Sequence, residues 1–182
     1  MPLIDRLFLA LQLAPEVSAD LVTATRSLRS MLADDVSWEP ESHWHITLAF
    51  LGNRDRKERE QVCRTAAAAA RTAEAANLRI AGTGRFNTAL WVGVEGGSWL
   101  QGMAEGLAHR SGLDAQDRSF HAHVTVARST SASAAQVFHA DLGNYLGPTW
   151  LPRKLALVES STGRTPRYRL LQQWNLRRAP QI

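Results

Sequence analysis

The chain has 182 residues, 45% of them hydrophobic, enough for one compact unit or for two small lobes around a shared core. A lone cysteine, Cys63, excludes an internal disulfide and fits a reducing compartment, so a soluble cytoplasmic protein is expected. Net charge is +4 and nearly all the basic residues are arginines, whose flat donor fork fits phosphate, yet a surplus of this size does not by itself indicate a nucleic-acid partner.

The opening Met1-Pro2-Leu3-Ile4-Asp5-Arg6 places charge before a short apolar run and suits neither a signal peptide nor a membrane span. Arg6 to Leu13 is expected as a strand. Pro15 and Glu16 then open a helix to about Leu32, with Val17, Leu21, Leu28, Met31 and Leu32 spaced by threes and fours. Val36-Ser37-Trp38 is a short stretch broken by Pro40, and a strand follows through Phe50-Leu51 to Gly52. Arg54 to Ala76, with Ala66 to Ala70 unbroken, is the strongest helix signal. Leu78–Ala81 and Ala89–Val94 form a hairpin with bends at Gly82 and Gly84, and a helix runs from Ser98 to Arg110. After the loop Ser111–Ser119 comes a second strand, then a Ser/Thr cap and a helix over Ala134–Leu142. Trp150–Ser160 and Arg167–Leu176 are expected as closing strands. The order implies a duplicated α+β unit, residues 1–182 forming one domain of two pseudo-symmetric lobes.

Four of the six histidines fall in one phrase written twice: His43-Trp44-His45-Ile46-Thr47-Leu48 and His121-Ala122-His123-Val124-Thr125-Val126. On a strand, His45 and Thr47 share one face while Trp44, Ile46 and Leu48 share the other, and the second copy repeats the pattern. Two imidazoles meeting on one phosphorus divide the labour, one taking a proton and the other giving one. Thr47 and Thr125 can donate to non-bridging oxygens, and Arg128, just after the second copy, can add a charged fork. His43 and His121 are expected at the cleft rim and are left off the catalytic list. Phe50, Phe86, Trp91 and Phe120 are assigned mostly to the core, with one aromatic near the cleft able to stack on a base. His109 and His139 are assigned to helix surfaces.

These residues resemble the 2H phosphoesterases, and among them the RNA 2′,3′-cyclic phosphodiesterases also called 2′-5′ RNA ligases. The likeness lies in the two His-x-Thr-x motifs and in the flanking Arg6-Leu7-Phe8-Leu9-Ala10, Leu48-Ala49-Phe50-Leu51-Gly52, Leu90-Trp91-Val92-Gly93-Val94 and Ala127-Arg128. Ala122 and Val126 depart from the usual proline and leucine. The resemblance implies a two-lobed fold with mostly antiparallel sheets, helices outside and a central cleft. It also implies His45 and His123 as the catalytic pair, with Thr47, Thr125 and Arg128 as phosphate ligands. No metal or other cofactor is implied; the partner would be an RNA with a 2′,3′-cyclic phosphate end, no membrane is involved, and a monomer is expected.

Two rival readings stand beside it. The two His-x-His pairs suggest a metal-dependent phosphoesterase, a chemistry that generally recruits carboxylates as well, for which only Glu41 and Asp117 lie nearby. A non-catalytic module holding RNA ends would use the same basic cleft without turnover.

Overall fold

A computed structural model describes residues 6–112, 120–161 and 167–180. Strand β1 (Arg6–Gln12) leads into helix α1 (Pro15–Met31), strand β2 (Ser37–Trp38), a 3₁₀ turn (Glu41–His43) and strand β3 (His45–Gly52). Helix α2 (Arg56–Thr72), the hairpin β4 (Leu78–Phe86) and β5 (Ala89–Glu95), and helix α3 (Ser98–Arg110) come next. Strand β6 (His123–Arg128), helix α4 (Ala132–Leu142), and strands β7 (Leu146–Trp150), β8 (Lys154–Ser161) and β9 (Arg167–Asn175) follow. One sheet has the order β3-β1-β8-β9, the other β2-β6-β5-β4-β7, and every pairing within them is antiparallel. The α+β architecture expected from the sequence is the one observed.

The sheets exchange helices. Helix α1 leaves the first sheet but packs on β7 and α4 of the second, whereas α3 leaves the second sheet and packs on β3 and α2 of the first. Val17, Leu21, Thr25 and Leu28 are the buried stripe of α1, and Pro15 begins it. Helix α2 starts later than its charged sequence suggests because Asp55 caps it, accepting from the Glu58 N–H while the Glu58 side chain accepts from Asp55 N–H. It also stops earlier, at Thr72. The chain there turns to pair with the C-terminal segment, where Ala75 N–H donates to the Arg177 carbonyl at 3.1 Å.

Strand β4 runs straight through the expected bend to Phe86, absorbing Gly82 as a bulge residue with φ of 73°. Strand β7 has no counterpart among the expected elements, and its Gly147 and Pro148 are both poor strand formers. It lies at the sheet edge, where Pro148 can be tolerated without an N–H. The expected strand beginning at Trp150 is two strands: Trp150 closes β7 in one sheet, and the chain crosses at Leu151–Arg153 to start β8 in the other.

One continuous core lies between the sheets and their helices, and a small second cluster of Phe8, Ala10, Ala156 and Val158 covers the opposite face of the first sheet with Tyr168. That explains the unbroken apolar run of β1. Both of its faces are buried.

Candidate active site

Each His strand carries the same bulge. Along β3, Ala10 of β1 faces Thr47 while Leu9 faces Ala49, so Leu48 is the extra residue. Along β6, Trp91 of β5 faces Thr125 while Leu90 faces Ala127, so Val126 is the extra residue. Before the bulge, burial alternates; after it, the phase shifts by one, and Ala49 and Ala127 are buried while Phe50 and Arg128 are exposed. Phe50 and Arg128 therefore reach the faces that carry the histidines and threonines, although simple alternation would send them to the core. This corrects the assignment of Phe50 to the core: it is 69% exposed. Phe86, at 43%, is also exposed, whereas Trp91 is buried and Phe120 half-buried.

The two faces line one cavity of about 590 Å³, and His45, Thr47, His123, Thr125 and Arg128 all lie on its wall. The strands begin at His45 and His123, two residues later than the repeated phrase suggests. The preceding turns bring carbonyls back onto the rings: Nδ1 of His45 lies 2.5 Å from the His43 carbonyl oxygen, and Nδ1 of His123 lies 2.7 Å from that of His121. A carbonyl can only accept, so Nδ1 carries the hydrogen in both rings and Nε2 is left to the cavity.

Aromatic rings hold each imidazole. Phe8 stacks on His45 at 4.8 Å, with Tyr168 edge-on at 5.5 Å. Phe86 meets His123 edge-on at 5.2 Å, with Trp91 tilted against it at 5.7 Å. His43 packs on Tyr168 and lines the cavity, while His121 packs on Trp91 and lines a separate groove. Burial pushes both imidazoles below the ordinary histidine value of 6.5; the charges of His43 and His123 add to this at His45, and that of His121 adds to it at His123. Both rings are therefore neutral at pH 7. Burial also raises the Tyr168 phenol, with Glu39 acting in the same direction and Arg128 against it.

The family model of the 2′-5′ RNA ligase superfamily matches residues 13–164. The chain belongs to the 2′-5′ RNA ligase superfamily. TT0787 of Thermus thermophilus is similar in structure, with a TM-score of 0.78 and 27% identity over 95% of this chain and 98% of that one. E. coli LigT in its apo form superimposes with a TM-score of 0.77 at 20% identity, covering 96% of this chain and 98% of LigT. The LigT structure complexed with 3′-AMP gives 0.74 at 21% identity over the same shares, 96% and 98%. No curated protein sequence matches. Membership makes this 2′-5′ RNA ligase superfamily chain a 2H phosphoesterase, and the fold of LigT is its fold.

In this superfamily member the residue that sequence reasoning missed is Glu39, in the turn after β2. Its Oε1 accepts the Nε–H of Arg128 at 2.9 Å, and Oε2 lies 3.7 Å from Nδ1 of His43. Phe8 also escaped notice, because an apolar run does not say which of its faces meets a cleft, and so did Tyr168, which the pairing of β9 with β8 brings to the same face. Among the described residues no group of three or more His, Cys, Asp or Glu is placed to hold a metal ion. Glu41 lies in the 3₁₀ turn, and Asp117 is outside the described residues. No helix among the described residues is long and apolar enough to cross a membrane. His139 is exposed on α4 as expected, with Nδ1 2.5 Å from the Thr83 hydroxyl, and His109 is exposed on α3.

Proposed function

We propose that this protein is an RNA 2′,3′-cyclic phosphodiesterase that opens a terminal cyclic phosphate with water to leave a 2′-phosphate, needing neither metal nor nucleotide. The support is the paired geometry: two neutral imidazoles from different sheets, each fixed through Nδ1, turn Nε2 to one cavity that also holds two threonine hydroxyls and an arginine. His123 takes the proton of the attacking water. His45, protonated when the anionic substrate is bound, gives its proton to the departing 3′ oxygen as the phosphorus–O3′ bond breaks. Burial works against a proton on either ring, Glu39 offsets it in part at His45, and the same geometry serves with the two roles exchanged. Thr47, Thr125 and Arg128 hold the non-bridging oxygens, and Phe50, exposed on the same wall, is a platform for the terminal base.

Acid/base steps run both ways, so the same groups can join a cyclic end to a 5′-hydroxyl as a 2′-5′ linkage, with abundant water favouring hydrolysis. The deciding experiment is product analysis on a short RNA with a 2′,3′-cyclic phosphate end, in excess chelator. A 2′-phosphate product from the wild type and an intact cyclic end with H45A or H123A are expected. An unreacted cyclic end with the wild type, or full turnover by either variant, would overturn the reading.

A further inference from the structure

Opening the cyclic ester turns a singly charged phosphodiester into a doubly charged phosphomonoester. A site that gripped phosphate by positive charge alone would therefore hold its product more tightly than its substrate. Glu39 is placed to act against this. It is the sole carboxylate among the described residues on the cavity wall, where the arginines are Arg6 and Arg128, and its side chain is only 16% exposed. The charged and titratable groups around it come from four other elements: Arg128 at the end of β6, His43 in the 3₁₀ turn, and His45 and Tyr168 on strands β3 and β9. Its bond to Arg128 uses Nε, and the two terminal nitrogens of that guanidinium make no hydrogen bond among the described residues. Those two remain for phosphate oxygens.

We propose that Glu39 is a positioning and specificity residue, anchoring Arg128 through Nε while its own negative charge makes the cavity prefer a singly charged phosphodiester to a doubly charged phosphomonoester. The proposal rests on the phosphodiesterase reading above and adds to it which charge state of the ester the site favours. A second negative charge on the ligand meets a carboxylate held near the phosphate site by Arg128, whereas a diester does not present that second charge.

The test uses two unreactive probes, 3′-deoxyadenosine 2′-monophosphate and its methyl diester, titrated calorimetrically into the wild type, E39Q and E39A at pH 8. At that pH the monoester is a dianion, its second pKa being about 6, and both imidazoles are neutral. Glutamine keeps an oxygen for the Arg128 Nε–H and removes only the charge, so E39Q should shift the ratio of the two affinities toward the monoester by about tenfold. E39A should show that shift and bind both probes more weakly, because Arg128 loses its anchor. The readout is a ratio within one variant, so partial unfolding scales both affinities and leaves it unmoved. An unchanged ratio in both variants would overturn the role of Glu39 with the phosphate cavity intact. Failure of the wild type to bind either probe at millimolar concentration would remove the cavity reading itself, and the role with it.

Discussion

At the scale of single residues, the proposed chemistry depends on which nitrogen each imidazole presents and whether it carries a proton. The carbonyls of His43 and His121 decide the first, so the side chains at those positions are replaceable while the turns that aim the carbonyls are not. His45→Ala and His123→Ala should each lower kcat for a cyclic-phosphate substrate by about 100-fold or more, the usual worth of a general acid or base. His43→Asn and His121→Asn should stay within a few-fold of the wild type in the same assay. Thr47→Val and Thr125→Val keep shape and strand preference but remove a donor from a non-bridging oxygen, and steady-state kinetics should show losses of about 10- to 100-fold in kcat. The direction of the pH profile follows from the depressed pKa values. For kcat/KM the acid limb marks deprotonation of the base and the alkaline limb loss of the proton from the acid, and both groups of the free enzyme titrate below 6.5. The maximum should therefore lie below pH 6.5, with kcat/KM falling toward tenfold per pH unit above it. A plateau extending to pH 8 would contradict the burial of these rings.

At the scale of elements, the periodicity of helices and the alternation of strands were legible because they are local properties of the chain. So was the face shared by His45 with Thr47 and by His123 with Thr125, since all four lie before the bulges, where alternation still holds. Phe50 was misplaced and Arg128 was reached only through its nearness to the motif. Their faces are decided by one extra residue in each strand, and a bulge is a property of the pairing with β1 or β5 that neither strand records alone. Glu39 was invisible for a related reason, since its partner Arg128 is brought beside it by the pairing of β2 with β6. Strand β7 was hidden by a proline that only an edge position permits. The same dependence on close strand contacts makes Gly84 on β4 a sensitive position. A Cβ there would lie 2.2 Å from the Trp91 ring, which packs on both His121 and His123. Gly84→Ala should cost about 1–3 kcal/mol of stability from overpacking, read as a drop in Tm of about 2–4 °C per kcal/mol. It should also lower kcat by displacing the ring beside His123. Gly102 in the middle of α3 meets nothing within 4 Å, so Gly102→Ala should leave kcat unchanged and raise stability by up to about 1 kcal/mol.

At the scale of the whole molecule, the exchange of α1 and α3 leads to the prediction that the two sheets fold as one unit. Residues 1–95 hold β1 and β3 but lack β8, which pairs with the other side of β1, and α3, which covers β3. They also hold β5 without its partner β6, and α1 without α4. Residues 96–182 are left with β6 stripped of both neighbours, and with β8 and β9 apart from the strand that joins them to β3. Each fragment would expose apolar faces and open strand edges that the other covers, and neither retains a complete sheet. Expressed separately, both should show no cooperative thermal transition by far-ultraviolet circular dichroism. Mixed, they should regain one, together with turnover of a cyclic-phosphate substrate, because His45 and His123 lie on different fragments. In the intact chain, the six tryptophans divide between the lobes, with Trp174 on β9 and Trp91 on β5. Fluorescence and circular dichroism should therefore unfold at one coincident midpoint. Two separated midpoints would mean that each lobe is stable alone and that the cavity between them is held by docking of preformed parts, and a folded residue 1–95 fragment would mean that this half of the chain needs no strand of the other.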